Sequence, residues 1–224
     1  MITIESKETL HRAVTECGIL PFFRSPVPGL SVEEMAAPGI LFGEILEGGD
    51  SYGCWDWKGP VIQEMDSAYG KFFRRKAGYV SLDLFPDFIN YRREAYPVAP
   101  GSTEAMILDI INAREGMTSS ELRREIFGAA GRKEGGPGRH SLEAPLQRLQ
   151  MGGRVIIADF EYKHTSQGQR YGWGVALYTT PEIWFGRGAL ATPLSPANSL
   201  DRLKKWVADI CPDAAPKMIE RLLI

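Results

Sequence analysis

The chain has 224 residues, of which 44% are hydrophobic and 24% are charged. These fractions are ordinary for globular proteins and exclude wholesale disorder. The length allows one large domain or two small ones. No stretch approaches the roughly 18 apolar residues of a membrane helix, and the first residues lack the basic and apolar segments of a secretory signal. Because there are only three cysteines, which are widely spaced, the sequence predicts a cytoplasmic protein without a disulfide framework.

The formal net charge of −2 is unevenly distributed. Residues 1–70 contain 4 basic and 11 acidic side chains, a net charge of −7. That leaves 22 basic and 17 acidic side chains, a net charge of +5, for residues 71–224. Such an asymmetry indicates a polyanionic partner for the basic part, although solvated Lys and Arg side chains on helix surfaces would produce it as well.

The N-terminal part, residues 1–97, is predicted to be an α+β region. Ser6 is suitable as the N-cap of a helix that ends at Gly18, and Ser31 as the cap of a shorter helix. Residues 40–46 have the apolar character of a buried strand. Residues 81–93 form a further capped helix, and the charge-free segment 97–101, with its two prolines, is the expected domain boundary.

An aromatic segment follows the predicted strand. In an extended chain Trp55 and Trp57 would point to one side and Asp56 to the other. Together with Tyr69, these three residues are candidates for the lining of a pocket.

A second aromatic segment combines Phe72 and Phe73 with four cations, Lys71, Arg74, Arg75 and Lys76. Cations and rings in this combination can contact phosphates and stack on bases. The alternative is a β-hairpin whose rings are buried and whose cations are solvated.

Residues 102–180 show the element order of a winged helix-turn-helix. The first helix is capped by Ser102 or Thr103, and a Thr118–Glu121 capping box opens the second. A third helix covers residues 141–150, and strands at 154–160 and 173–179 are joined by a polar tip. The predicted fold class is therefore α+β. A winged helix-turn-helix domain packs with the N-terminal α+β region, and the C-terminal helices, residues 181–224, pack back on that region.

In a helix-turn-helix, the helix after the turn enters the major groove with its first residues leading. Arginine and glutamine form bidentate contacts with guanine and adenine edges, so the candidates in and before the third helix are Arg139, His140, Gln147 and Arg148. In the wing tip, the candidates for contact with the DNA backbone or minor groove are Lys163, Gln167, Gln169 and Arg170. Winged helices also bind proteins, so a protein partner is the open alternative.

The sequence contains no recognisable metal or cofactor motif. The histidines, at positions 11, 140 and 164, are isolated, and there is no C-x-x-C, H-x-x-x-H, phosphate-binding loop or dinucleotide-binding fingerprint. We therefore expect no metal and no cofactor, and no catalytic residue is identifiable. Cys54 is expected to be a buried structural cysteine and not a nucleophile.

Three segments, Trp55-x-Trp57-Lys-Gly-Pro60, Tyr69-Gly-Lys-Phe-Phe73 and residues 85–93, precede the predicted winged helix. In this combination the chain resembles bacterial proteins related to the AlkZ/YcaQ DNA glycosylases. The resemblance implies winged-helix units and the excision of alkylated or crosslinked bases. Those enzymes carry an early Gln-x-Gln or Gln-x-Asp motif that positions the hydrolytic water. The corresponding residues 18–31 contain no glutamine here, and Gln167-Gly-Gln169 lies in the predicted wing tip.

The sequence thus favours a winged-helix protein that binds double-stranded DNA and is a non-catalytic relative of the DNA glycosylases. One alternative is a repair glycosylase that acts on alkylated or crosslinked bases. The other is a protein-interaction module. No membrane partner is expected.

Overall fold

The structure is a computed structural model that describes residues 2–45, 51–128, 142–167 and 170–224. For residues 44, 45, 51 and 170–173, only the backbone is described. Of the predicted DNA contacts, Arg139, His140 and Gln169 lie outside the described residues, and so does most of the glycine-rich segment before the third predicted helix.

The chain begins with helix α1, Lys7–Cys17, which Ser6 caps as predicted and Gly18 ends. Strand β1, Ile19–Pro21, and the short helix α2, Val32–Met35, follow. The prediction of a buried strand over residues 40–46 is wrong. Residues 40–43 form a turn in which Phe42 is 53% exposed, and β2 is only Glu44–Ile45, paired with β3, Ser51–Tyr52.

The segment predicted to be extended around Trp55 is instead helix α3, Cys54–Ile62. Its buried positions include Cys54, Lys58, Val61 and Ile62, which follow the spacing of one helix face. The amides of Cys54 and Trp55 donate to the carbonyl oxygens of residues 40 and 41, which anchors the first turn. A lysine is rarely buried, so the apolar stripe of this helix was not visible in the sequence.

Strands β4, Ser67–Phe73, and β5, Lys76–Ser81, form an antiparallel hairpin in a sheet of order β1-β5-β4. The hairpin turn consists of Arg74 and Arg75, both with left-handed backbone, at φ of 50° and 69°. Phe72 and Phe73 are buried, whereas Arg74, Arg75 and Lys76 are exposed. The hairpin alternative for this segment is therefore confirmed, and base stacking by these two rings is not possible in this state.

Helix α4, Phe85–Ala95, lies within the predicted helical segment, has Pro86 in its first turn and packs against α9, Pro196–Ile210. A buried carboxylate joins the two helices. Asp87 accepts hydrogen bonds from Thr192 Oγ1 at 2.7 Å and Ser199 Oγ at 2.8 Å, and it forms an ion pair with Arg202. Ser195 is the N-cap of α9, and the helix begins at the proline that follows it.

The middle of the chain contains α5, Thr103–Arg114; β6, Met117–Thr118; α6, Ser119–Phe127; and α7, Glu143–Met151. Strands β7, Ile156–His164, and β8, Arg170–Thr179, follow in a sheet of order β6-β8-β7. The Thr118–Glu121 capping box is confirmed. Helix α5 buries Ile107 and Ile111, whereas Met106 is 45% exposed.

The N-terminal half packs directly against this middle segment. Tyr69 of β4 and Phe160 of β7 have ring centres 6.1 Å apart, and Gln63 Nε2 donates to Ala158 O at 2.7 Å. The backbone amide of Lys71 donates to Gln150 Oε1 at 3.0 Å. A single buried apolar cluster includes residues from both parts of the chain.

The chain continues with α8, Pro181–Trp184, and a 3-10 turn, Gly188–Leu190, before α9, and it ends with α10, Pro216–Leu223. These C-terminal helices contact the N-terminal half. Trp206 Nε1 donates to Cys17 O at 2.8 Å, and Tyr91 OH donates to Leu223 O at 2.6 Å. Among the described residues, none of the helices is both long and apolar enough to cross a bilayer.

We expect Asp87→Asn to lower the free energy of unfolding by about 2–4 kcal/mol, because the buried carboxylate that joins α4 to α9 loses its charge and one acceptor. Urea unfolding of both proteins measures this difference. Asp83→Asn is the matched control, since Asp83 is an exposed carboxylate four residues away. Equal losses for the two variants would show that the buried network contributes nothing specific.

Candidate nucleic-acid interface

The turn between β4 and β5 lies beside a groove rich in cations. A cavity of about 450 Å³ is lined by Arg74 and Lys76 of the hairpin, by Arg24 of the loop after β1 and by Arg221 of α10. A second cavity, of about 400 Å³, shares Arg74 and Arg221 with the first and adds Lys217. Since they share two residues, the cavities form one continuous depression. We call it the hairpin surface, defined by Arg24, Arg74, Lys76, Lys217 and Arg221.

Two carboxylates at the hairpin surface form ion pairs, one of them with Arg24 of the surface itself. Glu33 Oε1 lies 3.6 Å from Arg24 Nε, and Glu220 Oε1 lies 3.2 Å from Lys204 Nζ. Within the described ranges, the side chains of Arg74, Lys217 and Arg221 form no ion pair. The surface therefore retains positive charge that can neutralise phosphates.

Sequence analysis identified only part of this surface. Arg74 and Lys76 were predicted contacts and are brought together with three cations that were not predicted, Arg24, Lys217 and Arg221. The predicted contacts Arg75, which is exposed, and Lys71, which is half-buried, line neither cavity.

The third helix of the middle segment, α7, presents little free positive charge. Arg148 is half-exposed, but its Nε lies 3.3 Å from Glu104 Oε1, and its guanidinium is 5.9 Å from the ring centre of Tyr96. Gln147 is half-buried, and Gln150, on the side facing β4, is buried. None of the described cavities and contacts joins Arg148 to the hairpin surface.

The tip of the β7–β8 hairpin is polar and accessible. Lys163 and His164 are exposed at the end of β7, and Gln167 is exposed in the turn that follows. Arg170 pairs with His164 through the strand backbone. These positions agree with the polar tip that the sequence predicts.

The four predicted pocket residues do not form one lining. Tyr69 is only 2% exposed, and its ring packs between Tyr79, at 4.7 Å, and Phe160. Burial raises the pKa of Tyr69 well above its usual value. Tyr69 is thus a core residue, because the β4 position it occupies faces the middle segment of the chain.

The other three predicted pocket residues, Trp55, Asp56 and Trp57, are half-buried on α3. The ring of Trp55 packs against Phe22 and Phe42, with centroid distances of 5.6 and 6.0 Å. Their function as a pocket lining stays a prediction.

Lys58 is a feature that sequence analysis missed. Its Nζ is buried between the rings of Trp55, at 4.0 Å, and Phe160, at 4.3 Å, and it donates to the Trp55 carbonyl oxygen. Cation–π contacts of this kind stabilise a desolvated ammonium group. Lys58 therefore holds α3 against β7.

His11 and Asp66 form a hydrogen-bonded pair that was not predicted from the sequence. His11 Nε2 lies 2.5 Å from Asp66 Oδ2, whereas Asp66 Oδ1 is buried without a hydrogen-bond partner. A carboxylate hydrogen-bonded to an imidazole can accept and pass on a proton. The two residues are 55 positions apart, so only the fold brings them together.

The three cysteines are buried and unpaired by disulfides. Burial raises the pKa of both the Cys17 and the Cys54 thiol to about 11. Because the thiolate is the reactive form, these thiols are poor nucleophiles at neutral pH. Cys54 is therefore a buried structural cysteine, as predicted, and is unsuited to nucleophilic attack.

The sequence model of the family described as "AlkZ related" matches residues 4–224. This chain belongs to that family. The resemblance inferred from the sequence is thereby confirmed at the family level. No functionally curated protein matches the chain.

Among solved structures, the DNA glycosylase AlkZ of Streptomyces sahachiroi is similar to this AlkZ-related protein, with 12% sequence identity and a TM-score of 0.46. The match covers 92% of this chain and 50% of the glycosylase. This chain therefore spans about half the length of that enzyme.

We expect the buried thiols to destabilise the fold at alkaline pH. The pKa of Cys17 and Cys54 is raised to about 11 in the folded state. Their stabilising contribution is therefore complete below the ordinary thiol pKa of about 8.5 and is lost as the pH rises towards the folded value. Thermal melts across this range should show a steeper decline for the wild type than for Cys54→Ala. Parallel declines would contradict the assignment.

Proposed function

We propose that this AlkZ-related protein binds double-stranded DNA, with residues 102–180 forming a winged helix-turn-helix and the hairpin surface providing a second contact. In this proposal it is a relative of the DNA glycosylases that lacks their glutamine motif. The observation that carries the proposal is the continuous set of cations on the hairpin surface, three of which form no ion pair within the described residues.

The element order supports the winged-helix assignment. Helix α5, strand β6, helices α6 and α7, and strands β7 and β8 follow one another, and β6 pairs with β8 and not with its neighbour in sequence. Three helices and a small antiparallel sheet in this order are the elements of a winged helix-turn-helix. The β7–β8 hairpin is then the wing.

The proposed contacts divide into two classes. The hairpin surface and the wing residues Lys163, Gln167, Gln169 and Arg170 contact phosphates or the minor groove, which fixes orientation without reading sequence. The residues assigned to base edges are Arg139, His140, Gln147 and Arg148. Because Arg148 is paired with Glu104, it must exchange this carboxylate for DNA, which weakens its contribution.

The double variant Arg74→Ala/Arg221→Ala should weaken duplex binding and reduce its salt dependence. Each phosphate contact contributes about 0.9 to the slope of log K against log salt concentration. We therefore expect the magnitude of the slope to fall by about 1–2 units. Fluorescence anisotropy with a labelled duplex over a series of salt concentrations measures this slope.

The control is Arg12→Ala/Lys205→Ala, which removes two exposed cations from helices α1 and α9. It loses the same charge but no residue of the hairpin surface, so its slope should match that of the wild type. Identical slopes for both double variants would remove the hairpin surface from the proposal.

A second candidate function, base excision, is favoured by the His11–Asp66 pair. The partly exposed Asp66 carboxylate could act as general base towards a hydrolytic water, with His11 orienting it through the contact between Nε2 and Oδ2. This candidate predicts abasic sites in an alkylated duplex, detected as alkali-labile strand breaks above the uncatalysed level. Breaks should persist with Asp83→Asn and disappear with Asp66→Asn. Strand breaks at the uncatalysed level with the wild type would exclude it.

A further inference from the structure

A cavity of about 700 Å³ lies between the end of α4, helix α5, the segment before β7 and the segment after β8. Three arginines line it, Arg93, Arg154 and Arg187. Its volume falls within the roughly 300–1,000 Å³ typical of small-molecule sites. None of its lining residues belongs to the hairpin surface, so it is a separate site.

The cavity lining contains one carboxylate, that of Glu182, beside the three arginines. Glu182 Oε1 lies 2.7 Å from Arg93 Nη1, and Arg93 Nη2 donates to Gly153 O at 3.1 Å. Within the part of the chain that the structure describes, Arg154 and Arg187 form no ion pair. Two guanidinium charges in the cavity are therefore uncompensated.

Two guanidinium N–H groups at this site lack acceptors. The Nε atoms of Arg93 and Arg154 are buried and have no hydrogen-bond partner. Burial, together with the neighbouring Arg93 charge, lowers the pKa of Arg154. A buried donor without an acceptor is destabilising, whereas a phosphate or carboxylate can accept two parallel hydrogen bonds from one guanidinium. An anion in the cavity would relieve the charge repulsion and accept hydrogen bonds from the guanidinium groups that line it.

The remaining lining residues fit a ligand with more than an anionic group. Leu108 and Ile183 provide apolar surface. Asn112 Oδ1 accepts a hydrogen bond from Thr180 Oγ1 at 3.1 Å, which leaves the amide nitrogen of Asn112 to donate to a ligand. Arg187 and Ile183 are exposed, so solutes can reach the cavity from solution.

We propose that this cavity binds a phosphate monoester of nucleotide size. Arg154 and Arg187 bind the phosphate, Leu108 and Ile183 contact the sugar and base, and Asn112 donates to a base acceptor. The nucleotide is either free in solution or the 5′-phosphorylated end of a DNA strand, since both present the same chemistry. The proposal does not depend on duplex binding by the hairpin surface.

Isothermal titration calorimetry with deoxyadenosine monophosphate and with deoxyadenosine tests the proposal. The phosphate should increase affinity at least about tenfold, the effect of one or more charge-assisted hydrogen bonds. Arg187→Gln and Arg154→Gln should each remove most of this gain. Arg12→Gln, on the exposed face of α1, is the matched control and should bind as the wild type does.

Equal affinities for nucleotide and nucleoside would overturn the proposal. Wild-type affinity in both cavity variants would overturn it as well, and so would the absence of binding for both the nucleotide and a DNA strand that carries a 5′-phosphate. Because Arg187 is exposed, Arg187→Gln should fold even if Arg154→Gln does not, and thermal melts check both.

A single-stranded oligonucleotide with and without a 5′-phosphate identifies the source of the nucleotide. A gain in affinity from the 5′-phosphate that Arg187→Gln removes assigns the site to DNA ends, and equal affinities of the two strands beside binding of the free nucleotide assign it to free nucleotides. The Arg74→Ala/Arg221→Ala variant should retain wild-type affinity for the nucleotide, which separates this site from the hairpin surface.

Discussion

The buried guanidinium of Arg92 connects the parts of the chain that form the hairpin surface. Arg92 is 1% exposed, and its Nη2 donates to Phe72 O at 3.1 Å, at the end of β4. Its Nη1 lies 3.5 Å from the carbonyl oxygen of Ile224, and the ring of Phe88 lies 5.2 Å from its centre. A desolvated cation is costly unless its donors are satisfied. The two oxygens that accept hydrogen bonds from Arg92 belong to the hairpin and to the residue after α10, whereas its Nε is buried without an acceptor. Arg92 therefore ties the end of α10 to the hairpin and brings the cations of both elements side by side.

Local signals in the sequence were sufficient for much of the secondary structure. The caps at Ser6, Ser31 and Thr118 depend on residues a few positions apart and were identified, and the hairpin around Arg74 and Arg75 was one of two interpretations of its segment. Helix α3 was not identified, because its position in the fold depends on a tertiary contact. The ammonium group of Lys58 is buried against the rings of Trp55 and the distant Phe160, and no sequence window contains both rings.

The candidate sites were less predictable than the fold elements for the same reason. Arg74 was identified from its basic neighbours, but Arg221 joins it because α10 docks beside the hairpin, and the predicted packing of the C-terminal helices on the N-terminal region did not specify that position. Conversely, Arg148 was predicted to be free for DNA, whereas the fold pairs it with Glu104 of another helix. A local pattern reveals which side chains carry charge, but long-range packing decides which charges stay available.

The left-handed backbone of Arg74 and Arg75 has a consequence for the chemistry of the hairpin tip. Glycine or asparagine would adopt these angles with less strain, since a side chain in this conformation costs roughly 1–2 kcal/mol per residue. Arginine at both positions is therefore a poor choice for hairpin formation alone. The two-residue turn, however, fixes the Cα–Cβ directions of both side chains. Each side chain therefore loses less conformational entropy when its guanidinium binds an anion.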